Sequence, residues 1–376
     1  MKRALPCLGA LLLVAVAAAV YVQRSHRQMR DFEVYRVAGV RAAAGQPLYR
    51  ESDGHWMFKY LPAFALLVAP LAQLPSEGAR ALWFALTIGA AALFVRGSLA
   101  LLPARRRAPA FVVGITLLFM AKHFAREIGL GQSNALMAVT VLAALTAARG
   151  SRHAASGAWL AAAAIIKPYA LIFLPWLVVG RRWRAVAAYS AVAVAALAAP
   201  ALRYGWAGNL AELRGWWTSV TSSTAPNLTG QDTVSLAGMF AAWVGTGPAA
   251  AWLASALSLA LVILCARVVL QGRDASSPDY LDAALLLFVI PLLSPQGWDY
   301  VLLLSTPAVM LLVDRLDEFR TPVRVLLVLS LAVAGLSFWD VLGPEAYRAL
   351  MMSRVVTLGA LLQVWLVARL RARGAA

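Results

Sequence analysis

"PAAAWLASALSLALVILCA" (residues 248–266) contains no Asp, Glu, Lys or Arg. As a helix it would extend roughly 30 Å, the thickness of a bilayer's hydrocarbon core. A helix on a soluble domain needs a polar face, and this stretch has no charge to place on one. Uncharged runs recur at 135–148, 185–202, 283–298, 301–313 and 355–368. Several are shorter than a full crossing, which suits a bundle with short, tilted or broken helices. The whole chain agrees: 61% of its 376 residues are hydrophobic and 14% charged, and its mean hydropathy is +0.72. A soluble domain of this length would carry more polar surface. The expected fold class is all-α, a polytopic transmembrane helical bundle of about 10–13 spans. It would form one integral-membrane domain over residues 1–376.

Spans are expected near 5–23, 58–75, 79–101, 109–122, 134–148, 155–180, 184–203, 247–270, 279–293, 298–314, 323–340 and 350–369, with 155–180 interrupted at Lys167-Pro168. Residues 1–23 resemble a signal peptide, but the apolar part is long for one, which favours an uncleaved first span. The connections 24–57 and 204–235 are too long for simple turns, and loops of that length usually have a function. No internal repeat is evident. The net charge of +17 fits arginines clustered between spans, where they meet anionic head groups, and not nucleic-acid binding. Cys7 and Cys265 both fall in expected spans, and the histidines at 26, 55, 123 and 153 have no ligand spacing, so no disulfide framework or metal site is implied.

Arginine clusters at 181–184, 267–273, 315–324 and 369–373 fall on one side of the bundle, the cytoplasmic one by the positive-inside rule. The 204–235 connection, "SPQGWD" (294–299) and "WDVLGPEAYR" (339–348) then face the other side. The first connection resists this rule. Counted through Lys59 it has seven basic residues (Arg24, Arg27, Arg30, Arg36, Arg41, Arg50, Lys59) against four acids (Asp31, Glu33, Glu51, Asp53). Charge alone would put it inside.

Within "DFEVYRVAGVRAAAG" (31–45), Asp31, Tyr35, Ala38 and Ala42 share a helical face, and Gly45 and Pro47 supply a stop. A short interfacial helix is expected there, with Asp31 either a functional acid or a first-turn cap. "FKYLPAF" (58–64) sets Lys59 and Tyr60 at a span entry, where such residues often act as anchors. "REIGLGQSNALM" (126–137) places Arg126, Gln132, Ser133 and Asn134 at another, where Ser133 or Asn134 could cap a helix. Lys167 is the one formal charge between Arg152 and Arg181. A lone ammonium near mid-membrane costs about 2.5–3.5 kcal/mol on insertion scales, so a polar cavity at a Pro-broken helix is favoured over snorkelling. Trp298 and Asp299 sit in a turn between apolar runs, either at a site or in a solvated loop.

In this order, "DFEVYRVAGVRAAAGQPLY", "FKYLPAFALLVAPLAQLP", "GQSNALM", "AAAIIKPYALIFLPWLVVGRRWRA" and "LLSPQGWDYVLLL" resemble glycosyltransferase family 87 over residues 25–315. These are integral-membrane mannosyltransferases of the C-type glycosyltransferase fold that use polyprenyl-phosphate-mannose. The resemblance implies that the first loop (24–57) faces the extracytoplasmic side of the plasma (inner) membrane, as does 204–235. Asp31 would be the catalytic base. Tyr35, Lys59, Tyr60, Arg126, Gln132, Asn134, Lys167, Gln231, Trp298 and Asp299 are the candidate substrate contacts. The resemblance implies inverting transfer of a hexosyl group, mannose, to a lipid or glycan hydroxyl. No cofactor beyond the polyprenyl-phosphate-sugar donor is expected and, with no acidic pair clearly placed for a divalent ion, no metal. The partners expected are membrane lipids, that donor and a glycolipid or glycan acceptor, with no nucleic acid. The chain departs from the family in two places: "WDY" (298–300) stands where a histidine often follows the Ser-Pro-x-x-Trp turn, and "NLTGQDTVSLAGMF" (227–240) matches the later polar motif loosely. A lipid or sugar transporter or flippase is the rival reading; it predicts pseudo-symmetric halves, and the sequence has no clear sign of them.

Overall fold

A computed structural model describes residues 23, 29–271 and 278–373. The expected first span, 5–23, and Cys7 lie outside the described stretches. The described residues are almost entirely helical. From the first end, α1 is Arg30–Ala44, a 3₁₀ turn covers Glu51–Trp56, α2 is Pro62–Ala72 and α3 is Ser76–Leu101. Then come α4 (Pro109–Leu130), α5 (Asn134–Arg149), α6 (His153–Ile166), a 3₁₀ turn at Pro168–Ile172, and α7 (Phe173–Val179). The chain continues through α8 (Trp183–Ala198), α9 (Ala201–Asn227), α10 (Leu236–Val244), α11 (Pro248–Gln271) and α12 (Pro278–Leu293). After a 3₁₀ segment, Asp299–Ser305, follow α13 (Thr306–Asp314), α14 (Thr321–Leu336), α15 (Trp339–Leu342), α16 (Pro344–Met352) and α17 (Val355–Ala372).

The uncharged runs now divide by burial. Residues 283–292 of α12 and all of α13 are buried on every side, so these runs are the middle of the bundle. In contrast, α11, which contains the quoted stretch, buries only Ala250, Ala254, Leu261, Cys265 and Val268. Much of its remaining surface is apolar and exposed, including Trp252, Leu253, Leu259, Val262, Ile263 and Leu270, as a lipid-facing helix requires. One composition thus serves two environments, and periodicity alone does not separate them.

Among the described residues, α3, α11 and α17 are long and apolar enough to cross a membrane, giving three spans. The count reaches five if the bent pairs α4–α5 (113°) and α8–α9 (88°) are each one span. The sequence suggested about a dozen crossings. One expected crossing, 5–23, lies outside the described stretches, and among the others α2, α6, α14 and the 168–179 segment are apolar but shorter. The expected interruption at Lys167-Pro168 is present, with α6 ending at Ile166 and Lys167 in extended geometry. Residues 204–235, expected as a long connection, are mostly helix: α9 continues to Asn227 through a kink at Gly205.

Two helix ends position the site. Helix α1 stops at Gly45, which adopts the left-handed region (φ 67°). The N–H of Gln46 bonds Arg41 O and that of Gly45 bonds Ala42 O, the paired bonds of a Schellman cap. Helix α4 ends in the same way at Gly131 (φ 67°), with Gln132 N donating to Glu127 O and Gly131 N to Ile128 O. That cap turns the chain sharply and leaves Gln132 at the bend between α4 and α5.

Candidate active site

Helix α1 packs Phe32, Tyr35, Ala38, Gly39 and Ala42 against the bundle, chiefly on α2. The expected face of Tyr35, Ala38 and Ala42 is therefore the buried one. Asp31, at the start of this helix, makes no capping bond; Met29 occupies the cap position. Its carboxylate instead accepts from Gln132 Nε2 at 2.7 Å. Asp31 thus faces a cavity of about 500 Å³ whose lining includes Tyr35, Lys59, Tyr60, Arg126, Gln132, Lys167, Asp232, Trp298 and Tyr300.

Gln132 is the hub. Its Oε1 accepts from Lys167 Nζ (2.8 Å) and Tyr35 OH (3.0 Å), while its Nε2 donates to Asp31 and to Tyr300 OH (3.1 Å). An ammonium can only donate, so Lys167 fixes which end of the amide meets it. The other end must then present N–H to Asp31. Lys167 also donates to Tyr60 OH at 2.9 Å and is only 5% exposed, so it is held in place and does not snorkel. Tyr60 and Tyr35 share a further bond at 2.6 Å.

Burial raises the Asp31 carboxyl above its ordinary value, an effect opposed by the Gln132 bond and by Lys167, Arg126 and Lys59. The Lys59 ammonium is lowered by burial, partly restored by Asp31. Lys59 reaches Gln296 at 3.4 Å. The lining carries Lys59, Arg126 and Lys167 against Asp31 and Asp232, so cations exceed anions at its wall.

The expected contacts divide into two groups. Tyr35, Lys59, Tyr60, Arg126, Gln132, Lys167 and Trp298 line the cavity with Asp31. Asn134, Gln231 and Asp299 lie off it. Asn134 bridges Glu127 (2.7 Å) and Tyr169, and neither it nor Ser133 caps α5 through its side chain. Asp299, fully buried, is no solvated loop acid: it pairs with Lys122 (2.9 Å) and Arg126 (2.7 Å). Gln231 offers its carbonyl to Arg354, and the side chain that reaches the cavity from that loop is Asp232.

Asp232 and Lys122 escaped the sequence reading, as did Glu127, Tyr300 and Arg354. Lys122 and Glu127 did leave a signal, being charges inside an apolar helix, "FVVGITLLFMAKHFAREIGL" (111–130). Asp232 left none, because a carboxylate in a connecting segment is an ordinary surface residue until the fold gives it partners; Arg354 falls near the start of the expected span 350–369, where an arginine is an ordinary interfacial anchor.

Among the described residues no three His, Cys, Asp or Glu side chains gather as a metal site would require. No curated protein matches the chain significantly. Comparison with family models matches residues 58–295 to glycosyltransferase family 87. That stretch contains Lys59, Tyr60, Arg126, Gln132, Lys167 and Asp232, whereas Asp31, which lines the cavity, and Asp299, which pairs with Arg126, lie outside it. The match covers more than half of the chain, which belongs to glycosyltransferase family 87.

Proposed function

We propose that this glycosyltransferase moves a hexosyl group, mannose by family resemblance, from a polyprenyl-phosphate donor to a lipid or glycan hydroxyl. Transfer takes place at the outer face of the plasma (inner) membrane and inverts the anomeric centre. Asp31 accepts the proton of the attacking hydroxyl as the new C1–O bond forms and the C1–O bond to phosphate breaks. The electron pair of the broken bond leaves on polyprenyl phosphate, and Lys59 and Arg126 at the cavity wall offset the charge it gains. Lys167 acts one step behind, orienting Gln132 so that its amide N–H holds Asp31 in place. No cofactor or metal enters this scheme.

The observation that carries the reading is the meeting of Asp31 with three cations in one cavity, together with the family membership. An aspartate alone can cap a helix; an aspartate in a 500 Å³ cavity, held by an oriented amide and faced by Lys59 and Arg126, can work as a base beside an anionic leaving group. The test is Asp31→Asn. With labelled polyprenyl-phosphate sugars and crude acceptor lipid, transfer should fall by about 10²–10⁴, while donor binding persists. Near-normal transfer by the variant would remove Asp31 from the role.

A further inference from the structure

Arg354 stands between α16 and α17, in the left-handed region (φ 62°) and only 1% exposed. A fully buried guanidinium is costly unless its donors are matched; Nε of Arg354 has no partner among the described residues, and its two terminal nitrogens carry the contacts. Here Nη1 donates to the carbonyls of Gly230 (3.2 Å), Gln231 (3.1 Å) and Thr233 (2.8 Å), and Nη2 donates to Gly230 (3.2 Å). One side chain near the far end of the sequence thus gathers the backbone of the loop between α9 and α10.

What that loop carries explains why its position matters. Asp232 lies within the clamped stretch. Its carboxylate takes Arg126 Nη2 on one oxygen (3.1 Å) and Tyr347 OH on the other (2.7 Å). Its carbonyl accepts from Asp299 N at 2.8 Å, and Val234 N donates to Gly297 O at 2.7 Å, tying the loop to the 297–299 turn. Asp299 in turn holds Arg126 Nη1 at 2.7 Å. The Arg126 guanidinium, 5.7 Å from the Tyr300 ring centre, is therefore gripped by two carboxylates whose backbones are joined to each other. Tyr347 OH takes the other Nη1 hydrogen at 3.3 Å, which leaves Nε–H and one Nη2 hydrogen of Arg126 for a ligand in the cavity it lines.

We propose that Arg354 is a positioning residue for phosphate recognition: it fixes the Gly230–Thr233 backbone, hence Asp232, and through Asp232 the Arg126 guanidinium at the cavity wall. This rests on the proposed use of a polyprenyl-phosphate donor. Arg354 lies off the cavity and touches no substrate. Lysine cannot replace it fully, because an ammonium could reproduce at most the Nη1 contacts and lacks the second nitrogen that donates to Gly230.

The experiment measures binding of undecaprenyl phosphate to the full-length protein in nanodiscs, with thermal unfolding recorded in parallel. Arg354→Ala should weaken binding about tenfold, Arg354→Lys should lie between it and the starting protein, and Asp232→Asn should lose a similar amount with Arg354 intact. The deciding measurement is made in an Arg126→Gln background, where Arg354→Lys and Asp232→Asn should add no further loss. A purely structural role would lower binding in both backgrounds alike, and that result, or unchanged binding with Arg126 present, overturns the inference. Should Arg354→Ala not fold, Arg354→Lys and Asp232→Asn carry the same comparison. Absence of undecaprenyl phosphate binding by the unsubstituted protein would overturn the donor assignment itself, a distinct result.

Discussion

At the scale of single residues, the site works by restricting what each polar group can do. Lys167 can only donate, so the Gln132 carbonyl must face it, so the Gln132 amide must face Asp31. The pH dependence follows from the same contacts. Burial holds the Asp31 carboxyl above the ordinary 3.8, and Lys167, Arg126 and Lys59 pull it back. A general base works ionised, so transfer should fall as pH drops through this raised value. Lys167→Met removes one of the lowering charges and should move that acid limb to higher pH. A pH–rate profile of the variant that stays in place or shifts downward would break the link between the two residues. Because the folded-state value lies above the unfolded one, the stability Asp31 contributes is fully present at low pH. It is lost as pH rises through the folded value.

At the scale of elements, the α4–α5 bend is what brings Gln132 to Asp31. Gly131 makes the bend possible: its φ of 67° suits glycine, and a Cβ there would stand 2.8 Å from Phe32 Cβ and 2.9 Å from Met29 Cε. Its carbonyl also accepts from Trp83 Nε1 at 2.7 Å. Gly131→Ala should therefore cost about 1–2 kcal/mol from the left-handed conformation and push α1 away from the bend. We expect a lower unfolding temperature together with a loss of transfer; a variant that unfolds earlier yet transfers normally would mean the bend tolerates the added methyl. Much of this element layer was legible in advance. The α1 face, its Gly45 stop and the break at Lys167-Pro168 all follow from spacing and from what Gly and Pro do to a backbone. The helical character of 204–227 was not, since its polar, Trp-rich composition has no run of apolar residues to announce it.

At the scale of the whole molecule, a buried ion pair ties the last helix to the bundle. Arg371 of α17 is fully buried and meets Asp282 of α12 at 2.8 Å, while Trp176 Nε1 donates to the second oxygen of Asp282 at 3.0 Å. Removing one member strands the other, at a cost of about 3–5 kcal/mol. Arg371→Met should destabilise the protein by that order, and Arg371→Met with Asp282→Leu should recover most of it. Chemical denaturation of the two variants in the same detergent checks this; equal losses would show that the pair is not coupled.

The sequence by itself determined the membrane-helical class, the family, helix α1 and most of the cavity's charged side chains. Each depends on local information: apolar run length, helical spacing, a proline break, and a lysine that lipid would reject. Tertiary structure alone decided which charges act together. Asp31, Gln132 and Lys167 come from three separate segments, and Arg126 is set by Asp299, Asp232 and Arg354 from three more. The energy of such groups depends on burial and on partners distant in the chain, so no window of sequence contains it. It also separated the largely exposed α11 from α12 and α13 in the core, runs alike in composition whose surroundings differ.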